Sequence, residues 1–178
     1  MMKKIITCLA IFAMIISLGA GCKRTYFRIT EESKGNTPLR FTIKKSYYRP
    51  NQSISLVGGR YAITSGDSLL LYIEGKAKIP GVGEVGVAEL DLSETARIYI
   101  SLPPGQKTGR QHIDHRSICE IVGGGAYRMG ENLFVCQSGE IVIDSLVGKE
   151  FYGKFNGKYL NTSSRTLTAE GDIKANRK

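Results

Sequence analysis

The stretch FYGKFNGKYLNTSSRTLTAEGDIKA, residues 151–175, decides the fold. Its first part places Phe151, Gly153, Phe155, Gly157 and Tyr159 at odd positions and Tyr152, Lys154, Asn156 and Lys158 at even ones. Successive side chains of a strand point to opposite faces, so one face is aromatic and glycine while the other is mostly polar. After the turn residues at 161–164, Leu167, Ala169, Gly171, Ile173 and Ala175 share a face, with Thr166, Thr168, Glu170, Asp172 and Lys174 on the other. The pattern predicts an antiparallel hairpin with one buried face, in a register that a one-residue slip would invert. The glycines leave room for neighbouring rings or mark bulges.

Upstream, short alternating runs recur between Gly, Pro, Asn and Ser, and no long helical pattern appears. Candidate strands cover 25–30, 39–47, 54–57, 60–64, 68–74, 85–92, 97–102, 117–122, 133–137 and 140–146. This spacing predicts an all-β, antiparallel β-sandwich or barrel-like domain rather than alternating strands and helices. The domain is expected over residues 39–178, after a signal at 1–21 and a membrane-proximal segment at 22–38.

The N-terminus, MMKKIITCLAIFAMIISLGAGCKR, explains that division. Lys3 and Lys4 precede an apolar run from Ile5 to Ala20, shorter than the roughly 20 residues that cross a bilayer core. A positive n-region, an apolar h-region and a small-residue exit make a secretory signal. Leu18, Gly19, Ala20 and Gly21 lead directly into Cys22, and Lys23 and Arg24 follow. The segment resembles the lipobox of bacterial lipoproteins, with Gly19 where the pattern usually has Leu. That resemblance implies cleavage before Cys22 and acylation of its thiol. A plain secretory signal and a retained membrane helix are the other readings of these residues.

Together with the aromatic–glycine hairpin, the lipobox resembles small all-β lipoproteins of Bacteroidetes-type bacteria. The resemblance implies a lipid-anchored envelope protein; Lys23 after the cysteine implies the outer membrane, and the lack of an acid in CKRTYFRI implies a periplasm-facing position. It carries no established chemistry. A multi-chain acyl anchor holds stably, and Lys23, Arg24 and Arg28 add attraction to anionic headgroups.

The chain has 25 basic and 16 acidic residues. Residues 1–21 hold only Lys3 and Lys4 among them, so residues 22–178 carry 23 − 16 = +7. That charge suits anionic lipid, envelope polysaccharide or an acidic protein, as well as ordinary solubility. An anchored domain is not expected to meet nucleic acid. Beyond Cys8 in the signal and Cys22, Cys119 and Cys136 remain. An oxidising compartment favours a disulfide between them, against a pair of reduced, buried thiols.

The chain offers few catalytic candidates. His112 and His115 flank Asp114 in GRQHIDHRS, which reads as a basic, solvated loop after Pro103 and Pro104. A zinc site would need further ligands, so no metal is expected. GGGAYRMGE, residues 123–131, lacks the Gly-Lys-Ser/Thr of a phosphate loop and reads as a hairpin tip. Glu89 and Asp91 share a strand face without a visible partner, and no Gly-x-Ser-x-Gly elbow occurs. Neither a cofactor nor enzymatic activity is expected.

Binding residues concentrate on loops. The contact candidates are therefore Lys107, Arg110, His112, His115 and Arg116, with Tyr127 and Arg128 at the glycine-rich tip. The expected function is a non-catalytic lipoprotein that binds or supports another envelope component. The alternatives are a β-domain that takes up a small lipid or glycan, with Phe151, Phe155 and Tyr159 lining its pocket, and an inhibitor of a hydrolase.

Overall fold

The C-terminal hairpin forms as its alternation requires. In a computed structural model that describes residues 26–57, 59–78, 93–123 and 131–178, β8 (Glu150–Leu160) pairs antiparallel with β9 (Thr166–Arg177). Phe155 faces Gly171 and Tyr159 faces Leu167. Phe151, Phe155, Tyr159, Leu167, Ala169, Ile173 and Ala175 are buried, while Lys154, Asn156, Lys158 and Lys174 are exposed. Asn161 ties the turn: its side-chain oxygen accepts from the amides of Ser163 and Arg165 at 3.0 and 2.8 Å. Its amide nitrogen donates to the Glu131 carbonyl at 2.8 Å. Such local bonding is why Asn favours turns.

The other described strands are β1 (Tyr26–Glu31), β2 (Leu39–Val57), β3 (Arg60–Lys78), β4 (Ser93–Leu102), β5 (Gly109–Ile113), β6 (Ile118–Gly123) and β7 (Leu133–Val147). They lie in the order β5-β7-β6-β4-β3-β2-β1-β9-β8, and β8 pairs again with β7, so the sheet closes into a ring. Closure pairs the two long strands β7 and β8 while, among the described residues, β5 at the end of that order pairs with β7 alone. The expected all-β, antiparallel, barrel-like domain is the observed one. Among the described residues, β2 and β9 make the parallel contact, at Tyr47–Asn176 and Tyr48–Arg177, beyond the start of β1.

Apolar side chains fill the interior. Phe27, Phe41, Phe134, Phe151, Tyr159, Leu71, Ile73, Ile98 and Ile100 are fully buried within one cluster. Phe27 stacks on Phe41, its register partner, at 5.1 Å between centroids. Glycine makes room for that stack. A Cβ on Gly75 would stand 2.5 Å from the Phe27 ring, and one on Gly171 would stand 2.6 Å from the Phe27 Cβ. One end of the barrel is closed by charge: Glu31 bonds Arg165, and Lys34 lies 3.4 Å from Glu31 and 3.7 Å from Glu94. An apolar interior beneath a charged exterior reverses the arrangement of a transmembrane barrel.

The long hairpin β2–β3 builds a second core on the outside. Its ladder shifts register between Pro50 and Gln52, where Pro50 pairs with Leu69 but Gln52 with Ser65. Such bulges bend a strand. Beyond the bend, Ile54, Leu56 and Tyr61 pack against Leu70, Tyr72, Tyr99, Ile118, Leu133 and Val135 on the outer face. That second use of both faces explains why residues 69–73 of β3 are all buried.

Four expectations change. The membrane-proximal segment expected at 22–38 contains β1, which lies in the sheet between β2 and β9 and buries Phe27 and Ile29. The runs at 39–47 and 54–57 form one strand, as do those at 60–64 and 68–74, and those at 133–137 and 140–146. Bulges carry these strands through polar residues that read as breaks. The stretch GRQHIDHRS, expected to be a loop, begins with β5, paired with residues 139–143 of β7. Finally, Cys119 and Cys136 are free and buried, not bridged. The register pairs Cys119 with Phe134, two residues from Cys136. A diagonal pair of this kind has its Cα atoms about 7–8 Å apart, beyond disulfide reach. The signal, Cys22, the strand at 85–92 and the tip residues Tyr127 and Arg128 lie outside the described residues.

Candidate functional site

The register of β2, β3, β4 and β6 lays two rows of side chains across the outer face. Lys45, Glu74, Arg97 and Glu120 are successive partners in one row, and Tyr47, Tyr72, Tyr99 and Ile118 in the next. The charged row alternates in sign, which favours directly opposed pairs. Arg97 Nε donates to Glu74 Oε2 at 3.1 Å and its Nη1 to Glu120 Oε2 at 3.2 Å.

The rings form a continuous ladder. Tyr47 stacks on Tyr72 at 4.8 Å, Tyr72 meets Tyr99 edge-on at 5.0 Å, and Tyr99 meets Tyr61 at 4.9 Å. Hydroxyls join the two rows. Tyr72 donates to Glu74 at 2.6 Å, Tyr61 donates to Glu120 at 3.1 Å, and the Tyr61 and Tyr99 hydroxyls lie 2.8 Å apart. The arm carrying Tyr61 thus covers Tyr72 and Tyr99, each 6 % exposed, and leaves Tyr47 half-buried at the open side.

Burial, with the hydrogen bond to Glu74, pushes the Tyr72 hydroxyl far above its usual range, and burial does the same to Tyr99. The Tyr72 hydrogen bond, followed by Arg97, holds the Glu74 carboxyl below the usual carboxylate range. Protons here stay on the phenols and off the carboxylate. The arrangement can hold a surface in shape and offer ring edges and charge to a partner.

Cations collect at the open side. Lys45, Arg49 and Lys178 lie 5.6, 5.1 and 4.9 Å from the Tyr47 ring centre. At the far side of the arm, Leu56, Gly59, Leu133, Val135, Gln137, Leu160, Asn161 and Thr162 line an open, mostly apolar groove of about 340 Å³.

Of the loop candidates, Arg110 and His112 share one exposed face of β5 beside Glu140. Lys107 is exposed and its carbonyl accepts from Gln111 at 2.9 Å. Arg110 pairs with Glu140 at 3.2 Å, on a face 70 % exposed at Arg110. His112 and His115 are exposed, and Arg116 holds Asp114 through its Nε and Nη2, at 2.8–3.1 Å. That grip, before all else, keeps the Asp114 carboxyl below its usual range. Among the described residues, no three His, Cys, Asp or Glu side chains gather as metal ligands would.

Phe151, Phe155 and Tyr159, considered as pocket-lining rings, are core. The tyrosine ladder was legible only as repeated offsets: Lys45/Tyr47, Tyr72/Glu74 and Arg97/Tyr99 each put a charge and a ring two apart, hence on one strand face. Comparison of the chain with known protein families, with curated proteins and with solved structures finds no match.

Proposed function

We propose that the chain is a non-catalytic lipoprotein of the cell envelope, anchored by acylated Cys22, whose barrel binds or supports another envelope component through its outer surface. Its place is the outer membrane, facing the periplasm. The observation that carries this reading is the division between a filled apolar interior and a charged, aromatic exterior. A barrel that encloses a ligand leaves its interior unfilled. Here that space is taken by Phe27, Phe41, Phe134, Phe151 and Tyr159, so contact belongs outside. Arg97 holds Glu74, Arg116 holds Asp114, and burial keeps Tyr72 and Tyr99 protonated, which supports a role without chemistry.

Intact and peptide masses of protein purified from membranes test the reading. The expected N-terminal peptide begins at Cys22 and carries acyl chains. An unmodified Cys22 in a chain that keeps Met1 or Met2 overturns it.

The apolar groove favours a second reading, capture of a lipid by the outer surface. Lipid extracts should then displace a hydrophobic dye from the protein, and Leu133→Glu should abolish dye binding. A dye that never binds removes this alternative.

A further inference from the structure

We infer that the barrel docks on an anionic bilayer with the outer face around Tyr47, where β2 and β9 meet. This rests on the reading of Cys22 as the lipidated residue. β1 runs antiparallel to both neighbours, with Tyr26 opposite Thr42 and Phe27 opposite Gly171. Its start therefore faces the end of the barrel where Tyr47 and Tyr48 pair with Asn176 and Arg177.

Chain length sets the distance. Cys22 and Tyr26 are four residues apart, a span of at most about 14 Å. From Thr42 to Tyr47, β2 advances five residues, roughly 17 Å. A bilayer that holds Cys22 therefore lies within reach of this face, because the tether is shorter than the strand beside it, and charge decides whether the two meet.

The same face is cationic. Lys45, Arg49 and Lys178 surround Tyr47, and Lys174 follows on the same side of β9. Hydrogen bonds bring the β7–β8 turn alongside. The Tyr48 hydroxyl donates to the Gly148 carbonyl at 3.3 Å, and the Arg177 amide donates to the Lys149 carbonyl at 2.7 Å. Lys149, Arg177 and Lys178 are exposed, and Val147 in that turn is 71 % exposed.

The neighbouring carboxylates are engaged: Glu74 by Tyr72 and Arg97, and Glu150 by Tyr152 and Lys174. Beside β1, Arg28 is paired to Glu170 at 3.7 Å and Arg40 lies over the Tyr26 ring at 3.7 Å. Headgroup attraction is worth about 1 kcal/mol, roughly fivefold in binding, per basic residue at the surface. Tyrosine suits the interface, and Lys and Arg can extend their stems to headgroups across apolar surface. A bilayer is favoured over a soluble polyanion because the tether keeps one within reach of this face.

Hydrogen exchange on the full chain purified from membranes tests the assignment. The chain is placed in phosphatidylcholine vesicles with and without phosphatidylglycerol. Amides at 147–150 and 176–178 should exchange about tenfold more slowly on the anionic vesicles alone. The protection should vanish near 1 M salt, where screening shortens to roughly 3 Å. The variant Arg49→Glu/Lys149→Glu/Lys178→Glu should lose it also, with its circular dichroism unchanged.

Equal exchange on both vesicles, protection at 161–165 instead, or protection by dextran sulfate but not by vesicles each overturns the inference. The two vesicle arms use the unaltered chain, so a misfolded variant does not shield it. The mass of the same sample separates the two proposals. An unacylated Cys22 refutes the anchor, and selective protection on anionic vesicles would still support the face.

Discussion

Tyr159 and the two thiols show what burial does to single polar groups in this interior. The Tyr159 hydroxyl is fully buried without a hydrogen-bond partner, near Cys119 and Cys136. A buried donor left unpaired costs about 1–3 kcal/mol. Tyr159→Phe should therefore raise stability by about 1 kcal/mol, read as a higher midpoint in urea. Burial raises the thiols too, Cys136 to about 12 and Cys119 still further. Since the thiolate is the nucleophile, both should resist iodoacetamide in the native reduced protein and react together only when it unfolds. Labelling of either one at the rate of a free thiol would show that the core opens locally.

At the scale of elements, the arm of β2 and β3 is a clasp, joined to the barrel by Tyr61 and supported by the Glu74–Arg97–Glu120 row. Glu74 titrates below the ordinary carboxylate value because its charged form accepts from Tyr72 and Arg97. A depressed folded-state value contributes stability above the unfolded value, near 4.5 for this carboxyl, and that contribution is lost as pH falls through the folded value. Glu74→Gln should cost about 1 kcal/mol at pH 7, and the gap to the unaltered protein should close in strong acid. Unfolding midpoints measured against pH check this, and a gap that persists unchanged in acid would refute the electrostatic account. The C-terminal hairpin was legible to the residue because its alternation is unbroken over both strands. The arm was not: Pro50 and Asn51 on one side and Gly66 and Asp67 on the other read as turns, whereas they are the bulge that bends a continuous ladder.

For the whole molecule, closure depends on β1, a six-residue strand between β2 and β9. A chain that starts at Leu39 should lose Phe27 and Ile29 from the core and melt without a cooperative transition. One that starts at Thr25 should melt cooperatively. Near-ultraviolet circular dichroism during heating distinguishes them, and a sharp melt of the shorter chain would show that the barrel closes without β1. Strand alternation, turn chemistry and the small-residue exit before Cys22 are local properties, so the all-β class, the closing hairpin and the expectation of an anchor could be read from the sequence alone. Three things were decided by the tertiary structure: the register that sets Cys119 diagonal to Cys136, the fold-back that turns β3 into a strand buried on both faces, and the gathering of Lys45, Arg49, Lys149 and Lys178 at one place. Each depends on which strands become neighbours, and that pairing is selected by the packing of residues far apart in the chain.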